Sequence, residues 1–280
     1  MEQLCDLHAH SVYSDGTYTP AELIDAAMDI GLSAVALTDH NTADGLPEFV
    51  AYAKNKNIEA VAGTEFSVDH HGTELHLLGL FIPEDRFAAV TELTNDYQLR
   101  KEQSNLELIA ALDAAGYHID YEALKSASPN GQINRSHVAA ALTAAGYTES
   151  IKAAFKSLLS PEVGYYKKPL QTPVLEMIRT IRDIGAVPVL AHPFLNLDEN
   201  SLAALLPAAK DAGLAGMECY YPSYDEKTTA LSLQLVEQFG LLPSGGSDFH
   251  GTNKPHIRLG VGTGNLQIPY DWYTALKKAR

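Results

Sequence analysis

The histidines are where this sequence can do chemistry. Eleven are present, and most fall with carboxylates at the ends of short apolar runs. These motifs are Asp6-Leu7-His8-Ala9-His10-Ser11, Thr38-Asp39-His40-Asn41, Gly63-Thr64-Glu65-Phe66, Ala191-His192-Pro193 and Gly246-Ser247-Asp248-Phe249-His250. Side chains alternate between faces in an extended segment, so His8 and His10 point the same way and can grip one ion. Asp15 follows in a Ser-Asp-Gly turn. Imidazole nitrogen and carboxylate oxygen without thiolate suit zinc, manganese or iron engaged in activating water. Each motif alone has an ordinary explanation: His-x-His by chance, Ser-Asp-Gly as a common turn, Asp39 as a cap of the next helix. Together they do not, because structural histidines have no reason to collect at the same end of successive strands. His76 fits this pattern least, since it lies inside its run. His70 and His71 read as an exposed turn, and His118 and His256 as surface or supporting residues.

Something must bring those strand ends together. Apolar runs at 3–8, 33–39, 58–63, 74–81, 187–191, 216–220 and 241–245 read as seven strands. Helical patterns separate most of them, the first opened by Thr19-Pro20-Ala21-Glu22, which combines a cap, a proline at the first helical position and an acid. From about 85 to 159 the periodicity is helical throughout, with helices expected near 85–114, 121–126, 136–145 and 150–159. Alternation resumes with helices over 172–184, 202–212 and 224–239. Strands alternating with helices imply a parallel sheet, and seven such units imply a closed, barrel-like α/β fold rather than an open one. The expected division is 1–99 and 169–280 as barrel, with 100–168 as a helical insertion. Because the insertion follows a strand, it is expected beside the end of the barrel where the strand-to-helix loops and the active site lie, capping that site.

Composition narrows the partners. With 46% apolar and 20% charged residues the chain is an ordinary globular one, not disordered or collagen-like. A formal charge of −15 has the wrong sign for wrapping duplex DNA, although a basic cleft or bound cations can still hold an anionic substrate. Two cysteines, Cys5 and Cys219, sit far apart in apolar runs, the pattern of reduced core thiols in a cytoplasmic protein. The opening residues lack a basic stretch followed by an apolar one, so no signal peptide is expected, and no apolar run is long enough to span a membrane.

These motifs, in this order and over essentially the whole chain, resemble the polymerase and histidinol phosphatase (PHP) family of metal-dependent phosphoesterases. The resemblance rests on Asp-Leu-His-Ala-His-Ser, Ser-Asp-Gly-Thr, Leu-Thr-Asp-His-Asn, Gly-Thr-Glu, Leu-His-Leu-Leu-Gly, Ala-His-Pro and Gly-Ser-Asp-Phe-His-Gly. It implies a distorted (β/α)7 barrel and three divalent ions, manganese, iron or zinc. One is held by His8, His10, Glu65 and Asp248, a second by Glu65, His76 and His192, and a third by Asp15, His40 and His250. The resemblance alone brings in His76. Asp39 stays outside the set, open to two readings: orienting a neighbouring imidazole or capping a helix. Closely spaced cations lower the pKa of water so that hydroxide exists at neutral pH, and they stabilise an in-line displacement at phosphorus, so no protein nucleophile is needed.

Substrate choice is expected from the insertion. Asn134-Arg135-Ser136-His137 opens a helix there, and Tyr165-Tyr166-Lys167-Lys168 closes the block. Arg135 offers a planar fork for a phosphate and the helix start offers free N–H groups, so Arg135, His137 and Lys168 are the substrate-contact candidates; a solvated surface position is the alternative for Arg135 and Lys168. An Arg-x-His helix start in an insertion of this size is similar to the PHP subgroup that removes phosphate from nucleoside 3′,5′-bisphosphates and trims 5′-phosphorylated oligonucleotides. Tyr-Tyr-Lys-Lys stands where that subgroup more often has Tyr-Val-Pro. The implied function is hydrolysis of a nucleoside 3′,5′-bisphosphate to a nucleoside monophosphate and phosphate. A cyclic phosphodiesterase, a sugar phosphatase and a short-oligonucleotide 5′-to-3′ exonuclease are the alternatives within the same chemistry, and a non-catalytic PHP module the alternative outside it. The expected partner is a small phosphorylated molecule, a nucleotide or short oligonucleotide.

Overall fold

The structure, a computed structural model, describes residues 3–128, 131 and 133–280. β1 (Cys5–Asp6) leads to α1 (Pro20–Asp29), which starts as its sequence dictates: the Thr19 side chain accepts from the Glu22 N–H, the Glu22 carboxylate accepts from the Thr19 N–H, and Pro20 opens the helix. β2 (Ala34–Leu37), α2 (Leu46–Ala53), β3 (Glu59–His70) and β4 (Thr73–Leu80) follow. The helical block comprises α3 (Phe87–Ala114), α4 (Tyr121–Ala127), α5 (Arg135–Ala144) and α6 (Ile151–Ser157). The chain then continues through β5 (Thr172–Pro173), α7 (Val174–Asp183), β6 (Val187–Ala191), α8 (Glu199–Asp211), β7 (Gly216–Tyr220), α9 (Glu226–Gln238), β8 (Leu242–Gly245) and α10 (Tyr270–Lys278).

The sheet runs β1-β2-β3-β4-β6-β7-β8, with the two-residue β5 paired beside β3. It closes almost into a ring: the Leu7 N–H donates to Gly245 O at 3.2 Å, and the Asp248 N–H to His8 O at 2.9 Å. The seven-stranded α/β barrel expected from the sequence is therefore present. Both faces of its strands are buried. Val35 and Leu37 of β2 join a cluster with Leu23, Phe49 and Ile178 from the surrounding helices, while Ala34 and Ala36 join another with Leu7, Val61, Leu78 and Val189, covered by Tyr273 and Leu276 of α10. That two-sided burial is why the strands read as continuous apolar runs. Cys5 and Cys219 are buried and unpaired. Among the described residues no helix is long and apolar enough to cross a membrane.

Three expectations are corrected. The strand expected at 58–63 continues to His70. Gly63 is not its end: a Cβ there would lie 3.0 Å from Thr38 Cγ2 and 3.1 Å from Gly79 O, so this glycine permits a close approach inside the sheet. The sheet is also not wholly parallel, since β4 is antiparallel to both β3 and β6. Its connection to β3 is a tight turn with φ 52° at His71 and 87° at Gly72, the left-handed pair that suits a two-residue hairpin.

The third correction concerns the route to the cap. Because β4 runs back, its last residue lies at the end of the barrel away from the metal-ligand motifs. α3, 28 residues and about 42 Å long, carries the chain up again. Near its start Val90 packs into the barrel core, further on Gln98 Nε2 donates to Asn41 O at 2.7 Å, and Leu108 and Leu112 join a separate cluster with Tyr121, Val138, Leu142 and Leu159. The helical block thus reaches the expected end by a different path.

Candidate metal centre

One face of the barrel's end collects every expected ligand. The segment leaving β1 supplies His8 and His10, and the loop before α1 supplies Asp15. The residues after β2 and β6 supply His40 and His192, and those after β8 supply Asp248 and His250. Glu65 lies inside β3, and His76 inside β4 opposite Ser67, which places both on the same face of the hairpin. The antiparallel return thus does for His76 what a strand end does for the others.

Glu65 is the hub. Its Oε2 lies 3.2 Å from His8 Nε2, 3.2 Å from His10 Nε2 and 3.1 Å from His40 Nδ1, and its Oε1 lies 2.7 Å from His76 Nδ1 and 3.0 Å from His192 Nε2. Asp248 Oδ1 approaches His10 Nε2 at 3.2 Å and His250 Nδ1 at 3.4 Å, and Asp15 Oδ1 approaches His250 Nε2 at 3.2 Å. Ligand atoms lie within 4.8 Å of one another in four groups: His10 with Asp15, His40 and His250; His8 with His10 and Glu65; His40 with Glu65 and His76; His8 with His192 and Glu218. The first and third place His10 and His40 differently from the scheme implied by the resemblance, and the fourth introduces Glu218.

The backbone is strained to achieve this. His192 and Asp248 have φ of 27° and 53°, and Asn41, beside His40, has 49°, all in the left-handed region. Gly246 lets the segment after β8 slide past His8, because a Cβ there would fall 2.1 Å from His8 Cβ.

The donors fit a cation. Glu65 Oε2 is fully buried, yet none of the three nitrogens around it makes a hydrogen bond to it. His8 Nε2 and His10 Nε2 face one another at 3.1 Å. A buried carboxylate oxygen and converging imidazole lone pairs are costly unless a positive charge sits among them. Burial disfavours ionisation of Asp15, Glu65 and Asp248. Even so, His250 and His40 hold Asp15, His40 and His8 hold Glu65, and Lys254 and His250 hold Asp248 well below the usual carboxylate range. Burial likewise opposes charge on His10 and His76, but the carboxylates of Asp248 and Glu65 beside it keep His10 up at about 9, and attraction to Glu65 keeps His76 up at about 10. His40 goes the other way: burial pushes it down to about 3, and repulsion from His10 and His76 adds to that. The side chains cannot all share protons, and they leave ionised oxygens beside unprotonated nitrogen.

Sequence reasoning missed the groups behind this cluster. Glu218 is fully buried on β7; its Oε1 takes the His8 Nδ1–H at 2.9 Å, leaving Nε2 for the cluster, and its Oε2 accepts from the His192 N–H at 2.7 Å. A lone acid inside the buried run Gly-Met-Glu-Cys-Tyr was the available signal. Asp248 Oδ2 accepts from the Tyr221 hydroxyl at 2.7 Å and from Lys254 Nζ at 2.8 Å. Asp39 does not cap α2, whose N-cap is Gly45. It accepts from the hydroxyls of Ser11 and Ser14, both at 2.6 Å, and Ser14 Oγ lies 3.4 Å from His10 Nδ1, so its hold on an imidazole is indirect.

A cavity separates the cluster from the helical block, with Asp15, His40 and His76 on one wall and Lys101 and Arg135 on the other. Arg135 lies with its guanidinium carbon 4.3 Å from the Tyr166 ring centre and 5.7 Å from that of Phe155; its nearest carboxylate is Glu74, at 3.9 Å. The other two substrate candidates are placed differently. His137 Nδ1 accepts the Asn134 N–H at 3.3 Å, and Lys168 Nζ is 3.4 Å from Asp69 and 3.9 Å from Glu74 at the hairpin. The N–H groups of Ser136 and His137, expected to be free for an anion, donate to Asn134 Oδ1 at 3.0 and 3.2 Å. Asn134 answers the start of α5 from within. His70 is half-buried at the hairpin, and His71, His118 and His256 are exposed.

The PHP domain profile matches residues 6–166. The chain is 30% identical to a 5′-3′ exoribonuclease of Haemophilus influenzae, over 89% of this chain and 91% of that protein. It is 29% identical to a phosphoribosyl 1,2-cyclic phosphate 1,2-diphosphodiesterase of Eggerthella lenta (91% and 98%), and 30% identical to a 3′,5′-nucleoside bisphosphate phosphatase of Chromobacterium violaceum (88% and 86%). Its fold superposes with a TM-score of 0.85 on a solved Bifidobacterium adolescentis protein assigned as a metal-dependent phosphoesterase, at 25% identity and covering 99% of this chain and 96% of that one.

Proposed function

The chain belongs to the PHP domain family of metal-dependent phosphoesterases, and we propose that its substrate is a nucleoside 3′,5′-bisphosphate, cleaved to a nucleoside monophosphate and phosphate. The observation that carries this reading is the two-walled cavity, with ligand side chains facing Arg135 across it. A substrate with one phosphate at the cluster and a second on the cap satisfies both walls. The three similar enzymes differ in what they act on: the named phosphoribosyl cyclic phosphate pairs one phosphate with a cyclic diester, and the bisphosphate is the substrate that offers two phosphomonoesters, one for each wall.

In this reading the cluster holds three divalent ions through His8, His10, Asp15, His40, Glu65, His76, His192, Asp248 and His250. Bound there, manganese, iron or zinc supplies Lewis acidity toward a water and toward phosphoryl oxygens. The chain's own groups do the rest. Glu65 spans the centre, Glu218 fixes the ring of His8, and Tyr221 with Lys254 holds Asp248. Residues 100–168 form a cap that shields the bond being broken, and Arg135 holds the remote phosphate, so that its binding energy can be used at the reacting one.

The test is hydrolysis by metal-loaded protein, with products separated, of a nucleoside 3′,5′-bisphosphate, a phosphoribosyl 1,2-cyclic phosphate and a short 5′-phosphorylated RNA, which would be cut to nucleoside monophosphates rather than release phosphate. The bisphosphate is expected to give the highest kcat/KM. Preference for either of the others would replace this reading with the corresponding alternative.

A further inference from the structure

In a chain with 35 acidic and 20 basic residues, a cation held partly away from solvent without a counter-ion calls for a partner. Lys101 is one. It is half-buried on α3 and lines the cavity between cluster and cap. Among the described residues no group forms a hydrogen bond or ion pair with its ammonium. Burial lowers its pKa, with Asp15 and Glu74 attracting it only through space and Arg135 repelling it. Arg135 shares the cavity and is nearly as free: at 3.9 Å, Glu74 is beyond the roughly 2.7–2.9 Å of a charge-assisted hydrogen bond. Glu74 is moreover engaged elsewhere, accepting from Gln171 Nε2 at 2.5 Å and lying 3.5 Å from His76 Nε2. Two cations from two helices thus face one space whose two carboxylates are already committed, Glu74 to Gln171 and His76, and Asp15 to His250. Leaving a buried ammonium unpaired is costly, and an anion from outside removes that cost.

We propose that Lys101 is a specificity-determining residue that clamps the uncleaved phosphate of the substrate together with Arg135. The proposal rests on the bisphosphate reading above and adds a contact to it. A phosphate dianion has three oxygens, enough to accept from a planar fork and from a point charge approaching from another side. The clamp belongs to the cap wall, so it selects substrates by their second anionic group and leaves hydrolysis of simple esters alone.

Calorimetry on metal-loaded protein, with inorganic phosphate saturating the cluster, tests this using a nucleoside 5′-monophosphate and the corresponding nucleoside as probes. Lys101→Met is expected to weaken monophosphate binding tenfold to about a hundredfold, the scale of one charge-assisted contact, and to leave nucleoside binding unchanged. Lys101→Arg, which keeps the charge, is expected to retain most of the affinity. Unchanged monophosphate affinity in Lys101→Met overturns the proposal, as does an equal loss in the Met and Arg variants, which would make Lys101 a packing residue of the cap. If Lys101-dependent binding is found but wild type releases no phosphate from a bisphosphate, the clamp stands and the hydrolytic reading falls. If wild type hydrolyses the bisphosphate and Lys101→Met does so with the same KM, the clamp falls alone.

Discussion

Glu65 lies within 3.2 Å of five imidazoles, whereas Lys101, on the opposite wall of the same cavity, touches no charged group among the described residues. The ligand wall is over-determined. Its side chains come from the ends or interiors of strands tied by ladder hydrogen bonds, and its ligands are held from behind by Glu218, Tyr221 and Lys254. The cap wall is built from α3 and α5 around its own apolar cluster and meets the barrel through few polar contacts, such as Gln98 with Asn41 O and Arg135 with Glu74. Partly exposed contacts of that kind contribute little each. Damage to the first wall should therefore abolish chemistry on every substrate, and damage to the second should change which substrate is preferred.

The sharpest way to break that contrast is Glu65→Ala. Removing the hub strips one partner from five histidines, so activity should fall on the order of a thousandfold or more, on bisphosphate and aryl monophosphate alike. Elemental analysis should show more than one equivalent of metal lost, and less lost from His40→Ala, whose side chain meets only Glu65 and Asp15 among the carboxylates. Wild-type metal content in Glu65→Ala would remove the basis for calling this wall a metal centre.

Arg135→Ala probes the other wall. Losing a bidentate cation that holds only the remote phosphate should lower kcat/KM for the bisphosphate by about a hundredfold and leave an aryl monophosphate nearly untouched. Equal losses on both substrates, with metal content unchanged, would show that the two walls are not independent.

A smaller effect tests whether the ligand wall depends on its backing. Glu218→Gln keeps the shape but weakens the acceptor for His8 Nδ1–H, and should cost about 10-fold to 100-fold in metal affinity, read by competition with a chelator. An unchanged affinity would mean that the ligands alone set the site.

The same two walls differ in how much the sequence disclosed. Metal ligation leaves types and spacings in the chain, because His-x-His on a strand or Asp-x-His after one has few other uses in company. Eight of the nine candidate ligands were legible in this way, and His76 needed the family resemblance, since its position depends on an antiparallel return that the apolar run at 74–81 does not reveal. Glu218 left one weak trace, a charge inside a buried strand. Lys101 left none. It is one charge on a 28-residue helix that packs against the barrel at Val90 and against the cap at Leu108, so no single apolar stripe marks which face turns to the cavity. The fold followed the same rule. Alternation of strand and helix showed the barrel, while the direction of β4 and the climb of α3 follow from a hairpin whose length was hidden by reading Gly63 as an end.

The smallest effect separates two roles for His137 that the sequence could not tell apart. Its Nδ1 accepts the Asn134 N–H, completing a capping box in which Asn134 Oδ1 accepts from the Ser136 and His137 N–H groups. Capping boxes ordinarily use Glu or Gln at this third position, so glutamine can replace the imidazole as acceptor. If His137 serves the helix, His137→Ala should lower stability by about 0.5–1 kcal/mol, and His137→Gln should recover most of that along with bisphosphate KM. A substrate contact through the imidazole behaves otherwise: Ala and Gln would raise KM alike, with thermal stability recovered in the Gln variant and affinity not. Melting curves and bisphosphate kinetics on the two variants distinguish these outcomes. Asn134→Ala sets the upper bound for cap loss, since it removes both acceptor contacts at once. Because the box starts the helix that carries Arg135, even the capping outcome predicts a few-fold rise in KM for the bisphosphate in His137→Ala, with the aryl monophosphate unaffected, which keeps the consequence on the cap's side of the cavity.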